Sequence, residues 1–195
     1  MCRTYRAGDL LLFLGDDPIG RAIARVTCPP WYWPEFRRRP HWRFISHVAV
    51  CCDWHSQTLL IESTTFCDRP CLIRGKVVAG MQAHFPWARA AAHVGPIWRL
   101  RPAAGWALTN EQRNELARFV HYEFDQPYDL LGALRAPTRW PAIHKQQGRF
   151  CDDFAAAFLQ RAGLMAIANP KGFTPSSLAK KLIANGNFDP PIRLK

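Results

Sequence analysis

Cys151 stands at the beginning of an apolar segment whose phenylalanine and leucine side chains recur at helical spacing. The first turn of a helix has unpaired backbone N–H groups and the positive end of the helix dipole, and both favour a thiolate over a thiol. A thiolate at this position is a nucleophile, and a base nearby can form it by accepting the proton of the thiol. The alternative interpretation is a small buried hydrophobe, which is the commoner fate of a single cysteine.

A base and a carboxylate lie on two neighbouring predicted strands. Residues 46–52 and 59–63 have the composition of strands, and the polar turn between them predicts an antiparallel hairpin. In that hairpin His47 lies about opposite Glu62, and cross-strand neighbours approach to roughly 5 Å. A histidine that takes the thiol proton, oriented by a carboxylate, would serve the hydrolysis of an amide or ester. Taken separately, His47 is typical of a core or edge histidine and Glu62 of an exposed strand-end charge.

The predicted strands and helices that would position these residues indicate the α+β class, and the length of the chain indicates one domain, 1–195. Apolar residues after Gly8 and Asp9 predict a central strand with both faces buried. A capping box over residues 109–112 predicts a helix, and residues 64–95 predict only short strands and loops. The predicted elements are strands over 10–14, 46–52, 59–63 and 97–101, and helices that begin near residues 17, 110, 130, 151 and 176.

The composition indicates an anionic partner. Lys and Arg outnumber Asp and Glu by 26 to 15, which gives a formal net charge of +11 and favours nucleic acid, anionic lipid or anionic cell-wall polymer. The densest basic cluster, residues 37–39, lies in an aromatic segment, 29–44. This composition is suited to binding a polymer, and the alternative interpretation is a solvated loop. Nucleic acid is the least favoured of these partners, because no recognised binding module is present.

The cysteines favour neither disulfides nor a metal site. Their number, 7, is odd, and Cys51 and Cys52 are adjacent, so reduced thiols are the default. Cys67 and Cys71, with those two and His55 nearby, are the group most suggestive of a metal, but their spacing is not that of a zinc ribbon or finger. We therefore expect neither a metal nor another cofactor.

The amino-terminal residues contain neither an apolar signal core nor a small-residue cleavage site. No apolar run reaches the roughly 18 residues that a transmembrane helix needs. We therefore expect a chain that is made in the cytoplasm without a Sec signal and without a transmembrane segment.

In their order along the chain, the motifs resemble the circularly permuted branch of the NlpC/P60 papain-like superfamily, the YiiX/YebB-like group. In this branch the histidine precedes the cysteine, the reverse of papain, and that order is the specific signal. The resemblance implies a permuted papain-like fold, in which an antiparallel sheet packs against helices that include the cysteine helix. The motifs that carry it are Gly8-Asp9-Leu10-Leu11, Ser46-His47-Val48-Ala49-Val50, Ile61-Glu62-Ser63, Gly80-Met81, Tyr128-Asp129 and Phe150-Cys151.

The resemblance also implies roles for individual residues. Cys151 is the nucleophile, His47 the general base and acid, and Glu62 the group that orients the imidazole. The backbone N–H of Cys151 would meet the oxyanion, together with Tyr128, for which a buried turn tyrosine is the alternative interpretation. One departure from the family pattern is the pair Asp152-Asp153, whose charges raise the pKa of a neighbouring thiol, so that activity depends on His47 outweighing them.

These roles predict a thiol hydrolase that cleaves an amide bond. The resemblance implies that this bond lies above all in peptidoglycan stem peptides, and the basic charge suits an anionic wall. Because no Sec signal is evident, action on this substrate requires delivery to the wall or periplasm, for example in a phage tail or virion, through a secretion assembly, or after lysis. Two alternatives remain at this point. One is a lipid-directed acyltransferase or thioesterase of the same superfamily, and the other is a non-catalytic structural protein of a phage or secretion assembly.

Overall fold

The computed structural model describes residues 4–15, 21, 45–64, 67–124, 150–166 and 173–195. The predicted helix that begins near residue 17, apart from residue 21, the segment 29–44, Tyr128 and the predicted helix near residue 130 lie outside the described residues.

A six-stranded antiparallel sheet forms the centre of the described structure, with strand order β4-β3-β2-β1-β5-β6. The two-face burial expected for the first strand is confirmed, because β1 lies between β2 and β5 and all of its residues are buried. The strands are β1 (Leu10–Phe13), β2 (His47–Trp54), β3 (Gln57–Thr64), β4 (Gly80–His84), β5 (Ile97–Leu100) and β6 (Ile192–Arg193).

The described residues contain four helices: α1 (Pro86–Ala92), α2 (Asn110–Glu123), α3 (Cys151–Arg161) and α4 (Pro175–Ala184). The first three contact the sheet, and α4 packs on α3. The capping box predicted at the start of α2 is present, and α4 begins with another between Thr174 and Ser177. No described helix is long and apolar enough to cross a membrane.

The pleat of the sheet divides the core into two apolar clusters. Leu10 and Leu12 belong to the larger one, which lies between the sheet and helices α2, α3 and α4. Leu11 and Phe13 point the other way and pack with Ala90 of α1. Successive side chains of a strand point to opposite faces, so this alternation also shows on which face each polar residue of the sheet lies.

The structure departs from the sequence prediction at β6, which was not predicted, at the β2–β3 turn and within residues 64–95. The hairpin turn is tighter than expected, since His55 and Ser56 adopt positive φ angles and β2 and β3 continue up to them. Residues 64–95 also contain the helix α1, which was not predicted. Pro86 occupies its first turn and alanines fill much of its length, a composition that favours a helix despite its short span.

The Gly8-Asp9 motif fixes the start of β1. The buried Asp9 carboxylate accepts two hydrogen bonds from Arg101, at 2.9 and 2.7 Å, which tie β1 to the residue after β5. Gly8 has a φ of +89°, and a Cβ there would lie 2.8 Å from the ring of Trp106. Both residues of the motif therefore serve the architecture of the sheet.

Candidate functional site

His47 and Glu62 meet across β2 and β3, as the sequence predicts. Nε2 of His47 lies 2.7 Å from Oε2 of Glu62. The register pairs Val50 with Ile61, so the residue directly opposite Glu62 is Ala49. His47 stands two residues earlier on the same face and reaches Glu62 diagonally, which is within the range of a long side chain.

The Glu62 carboxylate is fully buried, and the side chains of Arg89 and His47 are within hydrogen-bond distance of it. Its Oε1 accepts a hydrogen bond from Nε of Arg89 at 2.7 Å, and its Oε2 contacts His47. Burial by itself raises the pKa of Glu62, but Arg89 and His47 outweigh it and lower that pKa to about 2. At neutral pH Glu62 is therefore an anion that can hold an imidazole N–H.

The His47 imidazole is a partly exposed ring on the α1 side of the sheet. It is 16% exposed and packs against Phe13 with the ring centroids 5.5 Å apart. When Glu62 accepts the proton of Nε2, the neutral ring carries its lone pair on Nδ1. That arrangement gives a base of fixed tautomer, which is the function expected of a histidine beside a carboxylate.

Cys151 is the first residue of α3, with Phe150 as its N-cap. The backbone N–H of Val48 donates to its sulfur, and its S–H group points to Oδ1 of Asp152 at 3.6 Å. Burial, and after it the charge of Asp152, raises the pKa of the Cys151 thiol well above its ordinary value. The helix start was expected to favour a thiolate, and in the structure burial and Asp152 outweigh that effect.

The thiol of Cys151 contacts the residue next to His47, but the thiol and the imidazole lie on different faces of the sheet. Cys151 belongs to the larger apolar cluster, whereas the ring of His47 packs on Phe13 of the smaller one. Val48, which binds the thiol, is the residue next to His47. Among the residues that the structure describes, no hydrogen bond joins Cys151 to His47, so the structure brings His47 to Glu62 and brings Cys151 only to the adjoining backbone.

Asp152 and Asp153 are both buried in the first turn of α3. Burial, and after it the charge of Asp153, raises the pKa of Asp152 well above its ordinary value. No described residue makes a hydrogen bond to Oδ2 of Asp152. The opposition between this aspartate and a thiolate, which the sequence predicts, is therefore present in the fold.

Two residues beside Glu62 were not singled out from the sequence. Arg89 comes from the unpredicted helix α1, and His84 lies on β4, where the register pairs Glu62 with Gln82. The alternation of Gln82 and His84 along β4 puts both on the face of Glu62. Only a known register of β4 against β3 would have revealed Gln82 and His84 in advance.

A group of three potential metal ligands also includes Glu62. Ligand atoms of Glu62, Cys67 and His84 lie within 4.8 Å of one another, and all three residues are buried. Burial raises the pKa of Cys67 and lowers the pKa of His84, which keeps the imidazole neutral. The cysteine group that the sequence suggested is not the one that assembles, because Cys51 and Cys71 lie in different apolar clusters.

The antiparallel sheet with helices on its faces makes this an α+β protein with a YiiX-like fold. Among solved structures, the chain is similar to the crystal structure of YiiX from Escherichia coli O157:H7, which is described as a metalloprotein. The two are 16% identical with a TM-score of 0.51, over 86% of this chain and 77% of YiiX. At this identity the likeness concerns the fold, and the wider NlpC/P60 assignment stays a prediction.

No protein-family model matches the chain, and no curated protein matches it. The functional conclusion therefore depends on the geometry of the site.

Proposed function

We propose that this protein is a permuted papain-like thiol hydrolase that cleaves an amide bond. The observation that carries the proposal is the hydrogen bond of 2.7 Å between Nε2 of His47 and Oε2 of the buried Glu62. It supplies a histidine of fixed tautomer together with the anion that stabilises its protonated form. Cys151 at the start of α3 is the proposed nucleophile.

In the proposed reaction, Nδ1 of His47 accepts the thiol proton, because Nε2 is occupied by Glu62. The sulfur attacks the carbonyl carbon, and the imidazolium then donates the same proton to the leaving amine. Water hydrolyses the thioester that remains, and His47 acts as the base again. The contact between Val48 and the thiol supports this assignment, since it brings the sulfur next to the backbone of His47.

The reaction requires the thiol and the imidazole to meet in the complex with substrate. Burial and Asp152 keep Cys151 protonated in the described conformation. The proposal therefore includes a rearrangement on substrate binding that expels water and brings the sulfur to Nδ1 of His47 while Nε2 stays on Glu62. Tyr128 remains a proposed contributor to the oxyanion site.

Peptidoglycan stem peptides are the proposed substrate class. The formal net charge of +11 supports an anionic polymer as the partner, and the resemblance to the papain-like superfamily supports an amide bond. Action on this substrate implies delivery to the cell wall, for which a phage tail or a secretion assembly is the proposed route.

A second candidate function, a non-catalytic role in such an assembly, is favoured by two observations. The raised pKa of Cys151 and the unsatisfied oxygen of Asp152 are unfavourable for a thiolate. A protein that only keeps the fold has no need for an activated sulfur.

The experiment that separates these functions is an assay on purified sacculi, short peptides and acyl esters. We expect wild-type protein to release peptides from sacculi and the Cys151→Ala variant to lose that activity. Cys51→Ala is the matched control, because it removes a buried thiol on the other face of the sheet. Turnover of acyl esters alone would support a thioesterase, and equal behaviour of wild type and Cys151→Ala on every substrate would exclude a thiol hydrolase.

A further inference from the structure

A second polar cluster lies at Oε1 of Glu62, whereas His47 contacts Oε2. Sγ of Cys67 is 3.6 Å from Nε2 of His84, and that nitrogen is 3.7 Å from Oε1 of Glu62. Cys67 belongs to the connection between β3 and β4, whereas the other two residues lie on those strands. Three different donor types therefore converge from three consecutive segments of the chain.

Two of the three separations between these donor atoms fit one bound ion, and all three atoms lie within 4.8 Å of one another. In a tetrahedral zinc site the Zn–S bond is about 2.3 Å and the Zn–N and Zn–O bonds are about 2.0–2.1 Å, which puts neighbouring donor atoms about 3.3–3.6 Å apart. The two separations that join Cys67, His84 and Glu62 differ from this by only a few tenths of an ångström. An ion can thus enter without a rearrangement of the strands.

Gln82 places a further oxygen at the same point. Its amide nitrogen donates to the backbone carbonyl oxygens of Thr64, at 3.3 Å, and Val78. These bonds turn Oε1 towards the cluster, where it lies 3.0 Å from Nε2 of His84. A fully buried amide oxygen beside the three donors is suited to the fourth position of a tetrahedral site.

Arg89 does not compete for the ion's place on Glu62. Its Nε donates to Oε1, but a carboxylate oxygen has two lone pairs, so the same atom can accept a hydrogen bond and bind a cation. Such a hydrogen bond from outside the ligand set orients a metal-bound carboxylate. His47 stays on Oε2, so the ion and the imidazole would share Glu62 from opposite oxygens.

We propose that Cys67, His84 and Glu62 bind one divalent cation of the zinc type. A thiolate, a neutral imidazole and a carboxylate together favour zinc over magnesium or calcium, which prefer oxygen donors. Cys67 gives its thiol proton to solvent as the Zn–S bond forms. The ion would hold the connection between β3 and β4 against the sheet, a structural function that does not depend on the proposed hydrolase.

Binding of cobalt(II), as a spectroscopic substitute for zinc, tests this site in the full-length chain. Wild-type protein freed of metal is expected to bind one equivalent and to develop the near-ultraviolet absorption of a sulfur-to-cobalt charge transfer. Cys67→Ser is expected to lose that absorption and to bind zinc at least about tenfold more weakly. Cys71→Ser, the matched control from the same connection, is expected to keep both properties.

Loss of the absorption in Cys71→Ser, its persistence in Cys67→Ser, or its absence from wild type would overturn the proposal. X-ray absorption spectroscopy of zinc-loaded wild type needs no variant. It is expected to find one sulfur neighbour at about 2.3 Å and nitrogen or oxygen neighbours at about 2.0–2.1 Å. A zinc environment with no sulfur, or with two or more, would also exclude this site. Neither measurement uses hydrolytic activity, so the two proposals can fail separately.

Discussion

Arg89 holds Oε1 of Glu62 at 2.7 Å and thereby keeps a fully buried carboxylate ionised. The same carboxylate binds His47 through Oε2, so one ion pair fixes the candidate base of the site. Helix α1, on which Arg89 lies, thus helps to set the charge and the position of the Glu62–His47 pair.

Loss of Arg89 is expected to destabilise the protein strongly. Arg89→Met leaves the buried Glu62 without its cationic partner, and breaking one side of a buried pair costs about 3–5 kcal/mol. Arg113→Met is the matched control, because its pair with Asp53 is partly exposed and is expected to contribute only about 0–1 kcal/mol. Urea unfolding at neutral pH in the presence of a chelator measures both, and equal losses would contradict a special role for Arg89.

Cys151 is expected to react slowly with iodoacetamide at neutral pH in the absence of substrate. Burial and Asp152 raise its pKa, so the thiolate fraction is small and the alkylation rate should rise with pH through the alkaline range. Asp152→Asn should speed the reaction by about tenfold for each unit by which it lowers that pKa. Peptide mapping by mass spectrometry follows Cys151 separately from the other cysteines, and rapid labelling of the resting wild type would contradict this prediction.

Asp152→Asn is also expected to stabilise the fold at neutral pH. The pKa of Asp152 is raised in the folded state, so the folded protein binds its proton more tightly than the unfolded chain does. Stability contributed by this group is therefore present below about pH 4 and is lost as the pH rises through the folded pKa. The amide should add about 1–3 kcal/mol at pH 7 and little near pH 4.

Chemical unfolding at several pH values measures this difference. Asp189→Asn is the control, since Asp189 is exposed and its substitution should change stability little at any pH. A loss of stability in Asp152→Asn at pH 7 would show that the carboxylate has a stabilising partner.

Gly8→Ala is expected to destabilise more than Gly105→Ala. Both glycines have a φ near +90°, which costs an L-residue about 1–2 kcal/mol. Only at Gly8 does the added Cβ meet another residue, the ring of Trp106 at 2.8 Å, whereas nothing lies within 4 Å at Gly105. The difference between their unfolding free energies measures the steric part, and equal losses would mean that the ring gives way.

The local pattern of the sequence was enough to predict several elements of the fold. β1, the β2–β3 hairpin, the capped start of α2 and the cysteine helix follow from apolar spacing and turn residues that lie near one another. The contact between His47 and Glu62 could also be predicted, because both residues lie in one hairpin with a short turn. The pairing was two residues off because a His47–Glu62 pair needs the turn centred one residue earlier than it is, and Ala49 lies directly opposite Glu62.

Other features depend on residues that are distant in the sequence. Glu62 and Arg89 are 27 positions apart, and Cys67 and His84 are 17 apart, so only the packing of α1 and β4 on β3 brings each pair together. The protonation state of Cys151 also depends on the tertiary structure. The sequence by itself determined that a thiol opens a helix and that two aspartates follow it. Tertiary structure decided that all three are buried, and burial raises the pKa of both the thiol and Asp152 because it removes the water that would stabilise their charged forms.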